Sequence, residues 1–156
     1  MQQSLAADAT CSAAPTAGER LLLVALRCWA SNRTQRGQPV AAARRLIAWR
    51  ASERAAALFV AWMQAVEDAC RRPIQIHCRH CAGASTDEQR LIVATGMAPV
   101  DPNLGEALLA PLLYDAGAVM TLARALNAAL TASGLPLPSR LGGDLVQHEA
   151  AKVTLH

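Results

Sequence analysis

Residues 16–33 read TAGERLLLVALRCWASNR, and this stretch decides the class of fold. Thr16 and Glu19 have the spacing of a capping box, in which a hydroxyl and a carboxylate satisfy backbone N–H groups of a first helical turn. On a helical wheel the polar residues that follow form one narrow stripe: Arg20, Arg27 and Ser31. Apolar residues cover most of the remaining circumference, so the sequence predicts a central helix to about Arg33, with Cys28 in the core.

Caps and prolines mark the beginnings of further helices. Because proline fits a first helical turn and small polar residues cap one, we expect five more helices to begin near Pro39, Ser52, Ser85, Asp101 and Pro111. The helix after Ser52 should end before Pro73, with two ion pairs along it, Glu67 with Arg71 and Asp68 with Arg72. The last helix should run to about Ala132.

The chain has the size and composition of one globular domain. Of its 156 residues 53% are hydrophobic and 17% are charged, which excludes a disordered chain. We expect an N-terminal disordered tail (1–15), a helical domain (16–134) and an extended, flexible C-terminal tail (135–156). The predicted fold is all-α: a compact bundle of five to six helices with one short non-helical Cys/His corner, residues 73–85.

The composition also bears on location. No apolar run approaches the roughly 20 residues that a membrane-spanning helix needs, so no membrane partner is expected. The first 16 residues have no basic segment followed by an apolar one, as a secretion signal would. The five cysteines are an odd number with uneven spacing, unlike a disulfide framework. These features predict a cytoplasmic protein.

The corner contains the densest group of chemically active side chains, His77-Cys78-Arg79-His80-Cys81. Thiolates and imidazoles are ligands for zinc, and two cysteines separated by two residues can present both sulfurs to one ion. With Ala82 and Gly83 behind it, the Cys-x-x-Cys resembles one knuckle of a zinc ribbon over about six residues. That resemblance implies a zinc ion held by Cys78 and Cys81, which is half of a tetrahedral site.

The other ligands must come from elsewhere, and we predict His80 and Cys70. Further candidates are Asp87, His148, His156, or Cys78 and Cys81 of a second copy in a metal-linked homodimer. An iron–sulfur cluster on Cys70, Cys78 and Cys81 would need Cys11 or Cys28 as its fourth ligand. We interpret the neighbouring pair Asp87-Glu88 as helix-capping acids.

Two other interpretations of the Cys-x-x-Cys stay open. In a thiol redox protein Cys78 would attack and Cys81 would resolve the mixed disulfide, although Ser85 places the next helix beginning several residues after the thiols. Alternatively, the two thiols lie on an inert loop.

Charge is divided unevenly, with a net +6 in residues 1–81 and −3 in residues 82–156. A basic half favours an anionic partner such as DNA, through the short helices that carry Arg44, Arg45, Arg50 and Arg54. The arginines are scattered, however, and no nucleotide-binding or hydrolase motif is present. The sequence therefore favours an interaction or regulatory module, with a protein partner or a homodimer, over an enzyme; a DNA-associated regulator and a thiol redox protein are the alternatives.

Overall fold

The computed structural model describes residues 14–34 and 37–140, and six α-helices account for most of them. The helices are α1 (Ala17–Thr34), α2 (Pro39–Arg50), α3 (Glu53–Ala69), α4 (Thr86–Met97), α5 (Pro102–Leu109) and α6 (Gly117–Ala132). The only β pairing within these ranges is an isolated antiparallel bridge between Cys70 and Leu113. The prediction of an all-α bundle of five to six helices is confirmed.

The helix beginnings follow the predicted caps. The Thr16 backbone N–H donates to Glu19 Oε2 at 2.6 Å, and the Glu19 N–H donates to Thr16 Oγ1 at 3.2 Å, which completes the capping box. Ser52 and Asp101 each accept a backbone N–H from three residues ahead, at 3.1 and 3.0 Å. Local side-chain chemistry therefore accounts for the position of these helix beginnings.

The core lies around α3, which packs against both α2 and α6. Helix α1 contacts α2 and α4, and α4 in turn contacts α5 and α6. Phe59 of α3 meets Trp29 edge-on, with ring centroids 6.1 Å apart, and lies 5.9 Å from Trp62. All three rings are buried, so this aromatic cluster joins α1 to α3.

The prediction that the last helix begins at Pro111 is wrong, because α6 begins at Gly117. The preceding segment is held by two backbone hydrogen bonds to the end of α3, Arg71 N to Leu112 O at 2.9 Å and Tyr114 N to Ala69 O at 2.8 Å. These bonds hold the segment in a non-helical conformation against its tertiary neighbour. Pro111 by itself was therefore not sufficient to predict where the last helix begins.

Both predicted ion pairs along α3 are also wrong. The helix ends at Ala69, so Arg71 and Arg72 lie beyond the last turn and cannot reach back along it. Glu67 instead accepts a hydrogen bond from Arg33 on α1 at 2.7 Å. Arg72 pairs with an acid at the beginning of α4, described below.

Residues 135–140 are non-helical and pack along the bundle. Leu137 is buried, and its N–H donates to Asn127 Oδ1 at 3.3 Å. Apart from residues 14 and 15, the predicted N-terminal tail lies outside the described residues, as do residues 141–156 of the predicted C-terminal tail. Within the described ranges no helix is long and apolar enough to cross a bilayer.

Candidate functional site: the Cys78–Cys81 corner

The corner, residues 73–85, connects α3 to α4 and is held in place by the first turn of α4. Ser85 caps that helix: its Oγ accepts from Glu88 N at 3.0 Å, while Glu88 Oε2 accepts from Ser85 N at 2.7 Å. The Ser85 hydroxyl also donates to the carbonyl of Gln75, across the corner. The cap therefore joins the beginning and the end of the corner as well as starting the helix.

Asp87 fixes the first half of the corner. Its two carboxylate oxygens accept from Arg72 Nη1 and Nη2 at 2.7 and 2.8 Å, and Oδ2 also accepts from Gln75 N at 2.8 Å. Burial by itself would raise the pKa of Asp87, but the Arg72 and Gln75 hydrogen bonds and the positive charges nearby outweigh it, so its pKa is lowered. The Asp87 carboxylate thus stays ionised and accepts both hydrogen bonds of the bidentate pair with Arg72.

Glu88 and Arg27 form a buried ion pair behind the second half of the corner. Arg27 Nε donates to Glu88 Oε1 at 2.8 Å and Nη2 donates to Oε2 at 3.1 Å, with both side chains almost wholly out of solvent. Arg27 Nη1 and Nη2 also donate to the backbone carbonyls of Cys81, at 2.9 Å, and of Gly83. Arg27 of α1 therefore links Glu88, at the beginning of α4, to the backbone of Cys81 and Gly83 in the corner.

The environment keeps both partners of this pair charged. Burial tends to raise the pKa of Glu88. The Arg27 hydrogen bonds, the backbone N–H groups of Ser85 and His77 and the Arg27 charge together have the larger, opposite effect, so the pKa of Glu88 is lowered. The hydrogen bond to Glu88 raises the pKa of Arg27 against the opposing effect of burial. The corner thus depends on an ion pair in which each charged group has several hydrogen-bond partners.

Cys78 and Cys81 lie at the exposed tip of this corner, and their sulfurs are paired as a disulfide, with Cα atoms 5.4 Å apart. Cys81 N also donates to Cys78 O at 3.2 Å, which closes a tight turn. Gly83 follows with a φ of +70°, a left-handed conformation that favours glycine, and this turns the chain toward Ser85. The arrangement brings the two sulfurs together, and among the described residues no third His, Cys, Asp or Glu joins them in a group that could hold a metal ion.

The structure does not assemble the four predicted zinc ligands. Within residues 14–34 and 37–140, no three His, Cys, Asp or Glu side chains form a group able to hold a metal ion. Cys78 and Cys81 pair with each other, His80 is exposed, and Cys70 lies at the end of α3, where its backbone pairs with Leu113. Burial, reinforced by the charge of Glu67, raises the pKa of the Cys70 thiol, which opposes its ionisation as a ligand.

The further ligand candidates do not complete a metal site among the described residues either. Asp87 is engaged by Arg72, while Cys11, His148 and His156 lie outside the described residues. Cys28, expected in the core, is only half-buried; its sulfur is 3.5 Å from Asn32 Nδ2 and 3.6 Å from Arg79 Nη2, beside the corner. Zinc binding by Cys78 and Cys81 therefore stays a prediction that needs ligands from a second copy or from the undescribed ends.

Only part of the role of the acids that hold the site could be identified from the sequence. Asp87 and Glu88 do occupy the first helical turn, as expected for capping acids, but they also form buried or half-buried ion pairs across the molecule. The signal was Arg27, a cation in the middle of a helix that is apolar over most of its circumference. A buried guanidinium needs a carboxylate partner, and Glu88 follows a cap that fixes its position.

The four arginines proposed for DNA binding are exposed on α2 and α3. Arg44 is paired with Glu53 at 3.3 Å, and Arg50 covers the ring of the exposed Trp49, 4.7 Å from its centroid. The exposed Glu53 at the beginning of α3 therefore places acidic charge among these arginines. DNA binding stays a prediction.

Comparison of this chain with protein-family models, with curated proteins and with solved structures found no match. The fold and the site define a class only: a small all-α protein with a Cys-x-x-Cys turn at one corner.

Proposed function

We propose that this protein is a redox-responsive regulatory module, in which Cys78 and Cys81 interconvert between dithiol and disulfide. One observation carries the proposal: both sulfurs meet in a single exposed turn, while the buried Arg27–Glu88 pair holds the two ends of that turn through His77 N and Cys81 O. Thiol–disulfide exchange needs access by a second thiol, and the exposure of both cysteines provides it.

The surroundings favour a switch over a catalytic oxidoreductase. Fast thiol catalysts place the attacking cysteine at a helix N-terminus, where the helix dipole lowers its pKa. Here α4 begins at Thr86, and its free N–H groups are capped by Ser85 instead. The turn therefore lacks the helix contribution that activates a catalytic thiol.

The change produced by the switch is local. In the disulfide form the turn is restrained by the covalent link, by the hydrogen bond from Cys81 N to Cys78 O, and by the Arg27 contacts to Cys81 and Gly83. Reduction adds two electrons and two protons to the pair and removes the link, while the Arg27–Glu88 ion pair continues to hold the rest of the corner. The reduced residues 78–81 gain freedom to contact a protein partner or a second copy.

The test is equilibration of the full chain with mixtures of reduced and oxidised glutathione, followed by thiol alkylation and intact mass measurement. We expect two thiols to become protected together as the mixture becomes more oxidising, and hydrogen exchange within residues 78–84 to slow at the same time. Cys78→Ser should abolish this paired transition. Cys28→Ser is the matched control, because this half-buried thiol lies beside the corner, and it should leave the transition unchanged.

Two results would overturn the proposal. Loss of the transition in Cys28→Ser would assign the reactive disulfide to another pair. Alternatively, stoichiometric zinc retained by the reduced wild-type protein in native mass spectrometry, with two chains per ion, would favour the metal-linked homodimer in place of a redox switch.

A further inference from the structure

A pocket of about 550 Å³ opens between α1, α3 and the first residues of the corner. Its volume is within the range of small-molecule sites. The apolar part of its lining comes from four different segments: Leu26, Trp29, Met63, Ile74, Ile76 and Leu91. This pocket is distinct from the exposed disulfide turn, so its role is independent of the redox function proposed above.

The polar residues of the pocket lining are three arginines, one carboxylate and the Cys70 thiol. The charge of Glu67 is paired with Arg33, because its Oε1 accepts from Arg33 Nη1 and also from Trp29 Nε1, each at 2.7 Å. Arg72 is neutralised by the bidentate contact with Asp87. Two of the three arginines are therefore already paired with acids.

Arg71 is the exception. Its guanidinium lies 5.1 Å from the ring centroid of Tyr114, a side chain that is 75% exposed. None of the residues described in the structure places a carboxylate within ion-pair distance of it. The pocket thus combines an apolar wall with one uncompensated positive charge.

We propose that this pocket binds an aliphatic monocarboxylate, with its hydrocarbon chain along the apolar lining and its carboxylate on Arg71. One free guanidinium matches one carboxylate in charge and in bidentate geometry. Because burial raises the pKa of Cys70, that side chain stays a neutral thiol and adds no negative charge against the ligand.

The test is a fluorescence titration with decanoate in the Trp49→Phe background. This substitution removes an exposed tryptophan outside the pocket. Of the two that remain, Trp29 lines the pocket and is the reporter, whereas the buried Trp62 does not line it. Decanol and decyltrimethylammonium have the same chain with a neutral or a cationic head group. We expect saturable binding in the order decanoate, then decanol, with decyltrimethylammonium weakest.

Two variants separate the charge from the apolar lining. Arg71→Gln should weaken decanoate binding about tenfold or more and leave decanol unchanged, because a hydrogen-bonded ion pair is lost. The control, Arg124→Gln, changes an exposed arginine on α6 outside the pocket and should have no effect. Ala30→Phe, which places a ring in the pocket, should weaken all three probes, with circular dichroism confirming an unchanged helix content.

Equal binding of decanoate and decyltrimethylammonium would overturn the proposal, as would an Arg71→Gln variant that binds decanoate normally. Absence of saturable binding by any probe to the wild-type protein would also exclude the proposed ligand class.

Discussion

Replacing Arg27 with methionine should destabilise the protein more than any other single arginine substitution described here. The side chain of Glu88 has no exposed surface, and Arg27 supplies two of its hydrogen bonds, at 2.8 and 3.1 Å. Without Arg27 the carboxylate is buried and uncompensated, a change that costs about 3–5 kcal/mol of unfolding free energy. For a chain of 156 residues this corresponds to a decrease in melting temperature on the order of 10 °C.

The assay is urea unfolding followed by far-UV circular dichroism. Arg33→Met is the matched control on the same helix, since its ion pair with Glu67 is exposed and should contribute less than about 1 kcal/mol. The double variant Arg27→Met/Glu88→Gln should be more stable than Arg27→Met, because the buried group that remains is neutral. It also provides a readout if Arg27→Met does not fold.

The same ion pair predicts a dependence on pH. Because the pKa of Glu88 is lower in the folded state than its ordinary value, its contribution to stability is complete above the unfolded pKa of roughly 4.3. The contribution is lost as the pH falls through the lower, folded-state pKa. The double variant should therefore lose less stability on acidification than the wild type. If Arg27→Met costs no more than Arg33→Met, and acidification affects all variants equally, the reasoning about this buried pair is refuted.

Two further predictions concern packing and thiol chemistry. Gly96→Ala should lower the unfolding free energy by about 1–3 kcal/mol, because the new Cβ would collide with the carbonyl of Pro138. The control is Gly117→Ala at the exposed beginning of α6, which should be neutral or stabilising by up to about 1 kcal/mol. Equal effects of the two substitutions in urea unfolding would contradict the packing of residues 135–140 on α4. Alkylation of Cys70 in the native protein should show a midpoint above the ordinary thiol pKa of about 8.5, measured as labelling rate against pH with mass detection, and a midpoint below that value would contradict its burial.

The arrangement of the corner suggests a division between its supports and its reactive tip. The supports are the charged pairs Arg27–Glu88 and Arg72–Asp87, whose carboxylates are buried and whose contacts do not involve the two sulfurs. The tip is exposed, so a soluble thiol or oxidant can reach it. This division would let the chain change the conformation of a few residues without unfolding the bundle.

The helical class and most helix beginnings were determined by the sequence itself. A cap such as Thr16, Ser52 or Ser85 acts on backbone groups within three residues, so its effect is readable from spacing alone. The exposed turn of Cys78 and Cys81 could likewise be located, because two cysteines separated by two residues are close in any tight turn. These features depend only on local geometry.

The partners of the charged residues were decided only by the tertiary structure. Arg27 and Glu88 are 61 positions apart, and nothing local indicates that α1 and α4 pack so that the two side chains meet. The same holds for Arg72, which pairs with Asp87 instead of the predicted helical neighbour because α3 ends before it. Short-range hydrogen bonds follow from neighbouring residues, whereas a buried charge takes whichever partner the packing of distant helices brings within reach.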